Sequence, residues 1–233
     1  MKAVLQSYGI TCPITVVPTG IPAEDFAGVS KAEEKISSQW LVRHPELEGK
    51  RLMLYVGRVG QEKNMDFLLD VVDEVRRSVP EAVLLVAGSG PYLEVFQAQI
   101  AKRGLTGAVL CLGYVNRQDL KHLYALADVF TFASVTETQG LVTIEAMMCG
   151  TPAVAIGKMG TREVMAGDNG GFMVEDNVAA FSEGVLKLLG DTELYQRKSD
   201  EALTYSQNWT AERMAKRVQD VYIDVLDRYY RVN

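Results

Sequence analysis

Four charged side chains in this sequence stand where chemistry is done rather than where core is built. Glu137 and Glu145 are eight positions apart in Ala133-Ser-Val-Thr-Glu-Thr-Gln-Gly-Leu-Val-Thr-Ile-Glu-Ala-Met-Met-Cys-Gly150, a polar loop running into helical spacing. Arg58 and Lys63 share a second polar loop, Gly57-Arg-Val-Gly-Gln-Glu-Lys63, beside Gly57 and Gly60, which let backbone approach a ligand closely. An arginine offers a planar fork of donors and a lysine a compact charge, a pairing suited to a pyrophosphate. The helix beginning near Gly140 adds N–H groups and a positive dipole end, an anion site worth roughly 0.3–1 kcal/mol where exposed. Glu145 lies too deep to cap that helix, but its carboxylate suits two vicinal ribose hydroxyls, the role of acidic residues in dinucleotide folds. Glu137 projects where a group attached to the phosphates would lie. Each of these groups also has a plain reading. Arg58 and Lys63 serve equally as solvated cations, Glu137 as part of a solvated loop, and Glu145 as a surface carboxylate paired with a lysine.

The elements that must position them follow from apolar periodicity. Near-continuous apolar runs at Leu52–Val56, Ala82–Ala87, Ala108–Leu112, Val129–Phe132, Ala153–Ile156 and Gly171–Val174 read as strands buried on both faces. Between them lie helical patterns. Met65, Leu68, Leu69, Val72 and Val75 recur behind Asn64, a candidate cap. Pro91 suits the first residue of the next helix, and a further helix covers Leu120 to Ala127. Lys31 to Arg43 reads as one helix with Ile36, Trp40 and Leu41 on one side. The last helix has Thr210 as cap and a stripe of Met214, Val218, Val221, Val225 and Tyr229. Strands alternating with helices make an α/β fold, a Rossmann-like doubly wound parallel six-stranded sheet, for which the strand order 3-2-1-4-5-6 is expected. The first and fourth strands then flank the switch point where ligands bind in such sheets, and their loops carry Arg58, Lys63 and Glu137, with Glu145 in the helix that follows the second loop. Upstream, residues 1–12 read as a helix end closed by Gly9 and Ile14–Val17 as a short strand, neither with an evident sequence partner. Residues 18–30, with Pro18, Gly20, Pro22 and Gly28, read as a linker.

Composition excludes several classes. The 233 residues are 48% hydrophobic, enough for a sizeable core, and the net charge of −6 offers no basic surplus for nucleic acid. No apolar run is long enough for a transmembrane segment, and the N-terminus lacks a signal-peptide pattern. Three cysteines, Cys12, Cys111 and Cys149, read as reduced, buried thiols of a cytoplasmic protein with no disulfide framework. Two widely separated histidines leave no basis for a metal site. Gly88-Ser-Gly90 lacks the third glycine of the dinucleotide fingerprint and follows the second strand, which disfavours NAD. Neither a P-loop nor a G-x-S-x-G elbow occurs.

Tyr55-Val-Gly-Arg-Val-Gly-Gln-Glu-Lys-Asn64, Leu112-Gly-Tyr-Val115, Thr136–Leu141 with Ile144-Glu-Ala146, and Cys149-Gly-Thr-Pro-Ala-Val154 together resemble the donor-binding half of retaining family-4 glycosyltransferases, one half of a GT-B fold. Glu137 and Glu145 match that family's E-x7-E motif. The likeness spans about residues 13 to 228. It implies that Gly57, Arg58 and Lys63 hold the diphosphate of a UDP- or GDP-sugar, Glu145 the ribose, and main chain near Val115 the base. Glu137, Thr138, Gln139, Gly140 and Leu141 would contact the donor sugar and β-phosphate, with Arg58, Lys63 and Glu137 as the catalytic candidates. It further implies hexose transfer with no metal and no cofactor beyond the nucleotide-sugar cosubstrate. The loop version looks most like members that glucosylate diacylglycerol, so the acceptor would be a glycolipid or polysaccharide precursor met peripherally at the inner membrane surface. Residues 1–22 would be the tail and linker of a missing N-terminal acceptor-binding domain, and 23–233 the nucleotide-sugar-binding domain with C-terminal helices. The other readings are a non-catalytic nucleotide-sugar-binding subunit and an unrelated nucleotide-binding α/β domain.

Overall fold

The computed structural model describes residues 2–167 and 169–232; the side chain of Ile36 lies outside what is described. In chain order come α1 (Lys2–Ser7), α2 (Lys31–Ser37), α3 (Gln39–Arg43), β1 (Arg51–Val56), α4 (Met65–Ser78), β2 (Ala82–Ala87), α5 (Leu93–Lys102), β3 (Val109–Gly113), α6 (Arg117–Leu126) and β4 (Val129–Phe132). Then follow α7 (Leu141–Met148), β5 (Ala153–Ile156), α8 (Met159–Val164), β6 (Gly171–Val174), α9 (Val178–Gly190), α10 (Thr192–Ser206) and α11 (Ala211–Val232). All strand pairings are parallel, and the order is β3-β2-β1-β4-β5-β6, as the alternation of elements predicts. Because successive strand residues face opposite sides, the uninterrupted burial of β2, β4 and β5 requires helices on both faces. Helix α4 packs on α9, and α6 packs on α7, which α10 also contacts.

Several local expectations fail. Ile14–Val17 forms no strand, since an isolated extended segment has no ladder to complete; among the described residues upstream of β1, Ile21 bridges to Thr210. The helix expected over 31–43 is two, because Ser38 turns extended (ψ 133°) and its Oγ accepts the amide of Trp40 at 3.2 Å, capping α3. Asn64 occupies the cap position of α4 with φ 59°, left-handed, and its side chain makes no capping bond. Helix α5 begins at Leu93 rather than Pro91, because the amide of Tyr92 is drawn to Val59 O (3.1 Å). Thr210 does cap α11, its Oγ1 accepting the amide of Arg213. Only Met214 of the α11 stripe is buried, whereas Val218, Val225 and Tyr229 are exposed. The presumed linker is part of the core: Ile21 and Phe26 are buried. Cys149 is buried and Cys111 half-buried, but Cys12 is exposed, the apolar residues around it having no core to enter. Among the described residues, no helix is long and apolar enough to cross a membrane.

At the end of the sheet opposite the charged loops, β1 and β4 are pinned by one carboxylate. Buried Asp128 receives the amide of Leu52 at 2.7 Å and ion-pairs with Lys31 (3.0 Å) and Lys35 (3.2 Å) from α2. Burial alone would raise its carboxyl, but the two ammonium groups and the amide outweigh it and hold the group below its usual range. Burial also pulls Lys31 down to about 8, the opposite of what a salt bridge does to a lysine. Three donors converge on the carboxylate, so its ionised form dominates the pair. A depressed carboxylate stabilises the fold above the ordinary aspartate range and ceases to as pH falls through its lower folded value. Asp128→Ala therefore lowers the unfolding free energy by about 3 kcal/mol at neutral pH. Its difference from wild type shrinks below about pH 4. Urea denaturation across pH reads both, and a loss that persisted unchanged in acid would show that charge is not the cause.

Candidate functional site at the switch point

The first loop is shaped by close backbone approach. Gly57 N–H donates to Ala87 O (3.0 Å) and Val59 N–H to Ser89 O (3.0 Å), so the loop after β1 runs on as partner of the loop after β2. A Cβ on Gly88 would lie 1.8 Å from Gly57 O, and one on Gly90 would lie 2.3 Å from Val59 O. The Gly88-Ser-Gly90 turn is therefore glycine-rich because it packs against the first loop. Buried Tyr55 donates its hydroxyl to Arg58 O (2.9 Å), and buried Val59 anchors the middle of the loop. A single helical turn, Gln61–Lys63, ending on left-handed Asn64, then carries Lys63 toward β4.

Lys63 and Glu137 meet there, Nζ to Oε2 at 2.8 Å, across 74 positions of sequence. Their side chains are only 15% and 22% exposed, so solvent screens the pair less than a surface one. The other oxygen of Glu137 accepts the amide of Thr138 at 3.1 Å. Burial works to raise this carboxyl, yet the bond and charge of Lys63, with the amides of Thr138 and Gln139, leave it below the ordinary glutamate value. Thr136 also ties the lips together, donating Oγ1–H to Glu62 O at 3.3 Å. Behind the second loop stands the start of α8. Gly160 N–H donates to Glu137 O (2.9 Å), and a Cβ on Gly160 would meet Thr138 O at 2.2 Å. Gly140, at φ 67°, takes the left-handed turn into α7.

The remaining candidates are placed separately. Arg58 is exposed and ion-paired with Glu62, four residues on, rather than turned to Glu137. Glu145, the fifth residue of α7, is half-buried and bonded to no lysine; its Oε2 accepts the hydroxyl of Tyr124 on α6 at 2.9 Å. Burial raises its carboxyl, with the Tyr124 bond and the Arg117 charge pulling the other way. Val115 lies half-buried just before Asn116, which caps α6 by accepting the amide of Asp119 at 2.9 Å. Thr138 is exposed, Gln139 and Leu141 are half-buried, and Gly140 is buried. Glu62 and Tyr124 were missed in the sequence reading. No local rule announces the first, since 58–62 runs through a loop into a 3-10 turn; a phenol on the apolar face of an amphipathic helix, needing a partner, announces the second. Among the described residues, no group of three or more His, Cys, Asp or Glu is placed to hold a metal ion. The structure thus joins Lys63 and Glu137 beside the N-terminus of α7, while Arg58 and Glu145 have partners of their own.

A doubly wound sheet with its polar loops at the strand reversal defines a Rossmann-like α/β domain. The chain belongs to the Glycosyl transferases group 1 family, whose profile matches residues 38–204. It is 26% identical over 229 residues, 97% of this chain and 50% of the relative, to an alpha-monoglucosyldiacylglycerol synthase of Streptococcus pneumoniae. It is 28% identical over 194 residues, 80% of this chain and 50% of the relative, to a GDP-mannose-dependent alpha-(1-6)-phosphatidylinositol monomannoside mannosyltransferase of Mycolicibacterium smegmatis. The crystal structure of Anabaena HepE in complex with UDP and glucose superposes with a TM-score of 0.81 at 20% identity, covering 95% of this chain and 60% of that one. The fold is that of one half of a GT-B glycosyltransferase. The chain spans about half the length of the curated relatives it matches.

Two outcomes follow from this geometry. Gly88→Ala forces a Cβ into the Gly57 carbonyl, backbone that no rotamer change relieves, at a cost near the top of the about 1–3 kcal/mol range for overpacking. Thermal melting reads it, and an unchanged midpoint would mean that the two loops separate freely. Lys63→Ala leaves Glu137 its burial but removes its main counter-charge, so the carboxyl's titration midpoint, followed by carbon-13 NMR, rises. A midpoint that stayed low would assign the depression to the loop amides instead.

Proposed function

We propose that the crevice between the loops after β1 and β4 binds the nucleoside diphosphate of a UDP- or GDP-sugar. In this reading the chain is the donor half of a retaining, metal-independent hexosyltransferase. The observation that carries it is the direct Lys63–Glu137 contact across the switch point, in a chain of the group 1 glycosyltransferases. Lys63 and Arg58 hold the diphosphate together with Gly57, and they stabilise the negative charge that develops on it as the glycosidic bond breaks. Main chain of Thr138 to Leu141, at the N-terminus of α7, receives the β-phosphate and sugar. Glu137 positions the sugar, Glu145 accepts the ribose hydroxyls, and backbone near Val115 reads the base. Lys63 has Glu137 as its counter-ion; an arriving diphosphate competes for the lysine and frees the carboxylate for the sugar.

The acceptor side is drawn from the relatives. One is named for a glucosyldiacylglycerol product, which supports a lipid or glycan acceptor met at a membrane surface by a cytoplasmic enzyme. The half-length match supports an acceptor-binding domain outside this chain, with residues 1–22 as its tail and linker. It also supports donor binding without transfer by the chain alone. The exposed apolar stripe of α11, from Val218 to Tyr229, would be covered by that domain.

Calorimetric titration of the chain with UDP, GDP and ADP tests the reading, and extension to UDP-glucose, UDP-galactose, UDP-N-acetylglucosamine and GDP-mannose names the donor. Binding of UDP or GDP is expected. Lys63→Ala weakens it by about tenfold or more, the scale of a lost charge-assisted contact, with little change in melting temperature. Absence of binding by all three diphosphates, or wild-type affinity in Lys63→Ala, would remove the diphosphate role.

A further inference from the structure

We propose that Tyr124 is a positioning residue for ribose recognition: its buried phenol holds Oε2 of Glu145 and so sets the orientation of the carboxylate that receives the ribose hydroxyls. The inference rests on the reading of Glu145 given above.

Tyr124 is 0% exposed and lies in a fully buried run, Leu123–Leu126, of α6. A phenylalanine would fill the same space, so the hydroxyl is a polar atom carried into the core, and its partner is Glu145 Oε2 at 2.9 Å. The ring is held in edge-on contacts with Phe26, at 6.1 Å, and Phe130, at 5.7 Å. Phe26 comes from the segment before α2 and Phe130 from β4, so the phenol cannot swing without disturbing both. The backbone of the same residue is fixed as well. Its carbonyl accepts Thr151 Oγ1–H at 2.6 Å, and Thr151 N–H donates to Ala146 O (3.0 Å), next to Glu145 on α7. Phenol and carboxylate therefore sit in one frame, linked through side chains on one side and through the turn ending α7 on the other.

The chemistry of the pair suits this role. Burial and the Glu145 charge push the Tyr124 hydroxyl far up, so it stays protonated and always donates. An ionised carboxylate can accept about four hydrogen bonds; Tyr124 takes one, which leaves acceptor capacity for two vicinal hydroxyls. A glutamate has three rotatable side-chain bonds, and ordering it upon binding opposes affinity. Tyr124 orders it beforehand. The nearby Arg117, ion-paired to Asp25 at 2.7 Å and lying over the Phe26 ring, closes the same corner.

The test compares UDP with 2′,3′-dideoxy-UDP, and GDP with 2′,3′-dideoxy-GDP, which lack both vicinal hydroxyls, on the wild-type chain and on Tyr124→Phe. Wild type should prefer the ribonucleotide by about tenfold, the scale of a hydrogen bond to a charged group. Tyr124→Phe should reduce that preference to about threefold or less, while affinity for the dideoxy nucleotide changes by less than about twofold, since only the ribose contact is loosened. A wild-type preference that survives in Tyr124→Phe, or an equal weakening of both nucleotides, overturns the positioning role and leaves the ribose reading standing. A wild-type chain that does not distinguish the two sugars removes the ribose reading and this inference with it. A second measurement does not depend on the variant folding. In the wild-type chain the Tyr124 hydroxyl proton, slowed by burial, should remain visible by NMR when UDP or GDP is bound. Its loss on binding would mean that the phenol leaves Glu145, contrary to the proposal.

Discussion

The contact between Lys63 and Glu137 exists only because β1 and β4 are hydrogen-bonded neighbours. Adjacent strands lie about 4.8 Å apart, so loops leaving their carboxyl ends are within side-chain reach whatever their separation in sequence. The sheet order puts the first and fourth strands together at the one place where the winding direction reverses, and there no crossover helix covers the strand ends. Lys63 and Glu137 meet at the gap this leaves, with Arg58 on the loop of Lys63 and Glu145 in the helix after Glu137. The ion pair marks that gap; as stability it counts for little beside the sheet that produces it.

The same strand pair is secured at its other end by Asp128, whose own amide donates to Leu52 O at 2.7 Å while its carboxylate receives the amide of Leu52 in return. One end of β1 and β4 is thus closed by a buried, fully bonded charge, and the other carries the Lys63–Glu137 pair. Lysines 31 and 35 bring α2 into this arrangement, and Phe26, just ahead of α2, packs on Tyr124 beside Glu145. The stretch between residues 21 and 35 therefore touches both the Asp128 end of the strands and the Tyr124–Glu145 corner of the domain. Glycines 88, 90 and 160 complete the positioning, each giving up a side chain so that one loop's backbone can lie on another's.

Much of this was legible in the chain before folding. The strands of a doubly wound sheet are buried on both faces, so they stand out as unbroken apolar runs, and the structure returns them within a residue at either end. With six strands and helices between them, handedness and the usual winding leave few orders open. The polar loops betrayed the crevice because Arg58, Lys63, Glu137 and Glu145 interrupt apolar surroundings that have no use for charge. Local rules failed where a distant group made a better offer. Tyr92 gave its amide to Val59 and delayed α5. Asn64 took a left-handed turn to bring Lys63 across. Residues 14 to 17 found no strand to pair with.

What the sequence determined by itself was periodicity and chemistry: which segments are strands and helices, and which residues bring charge and hydroxyls to loops. Those depend on nearest neighbours along the chain, through alternation, turn residues and side-chain type. Partnership was decided only in three dimensions. Arg58 faces Glu62, Lys63 faces Glu137, and Glu145 faces a buried phenol rather than a surface lysine. Two of those pairs join residues 74 and 21 positions apart. The physical reason is that a hydrogen bond depends on distance and angle within about 3 Å, and at such separations only the packed sheet and helices set them.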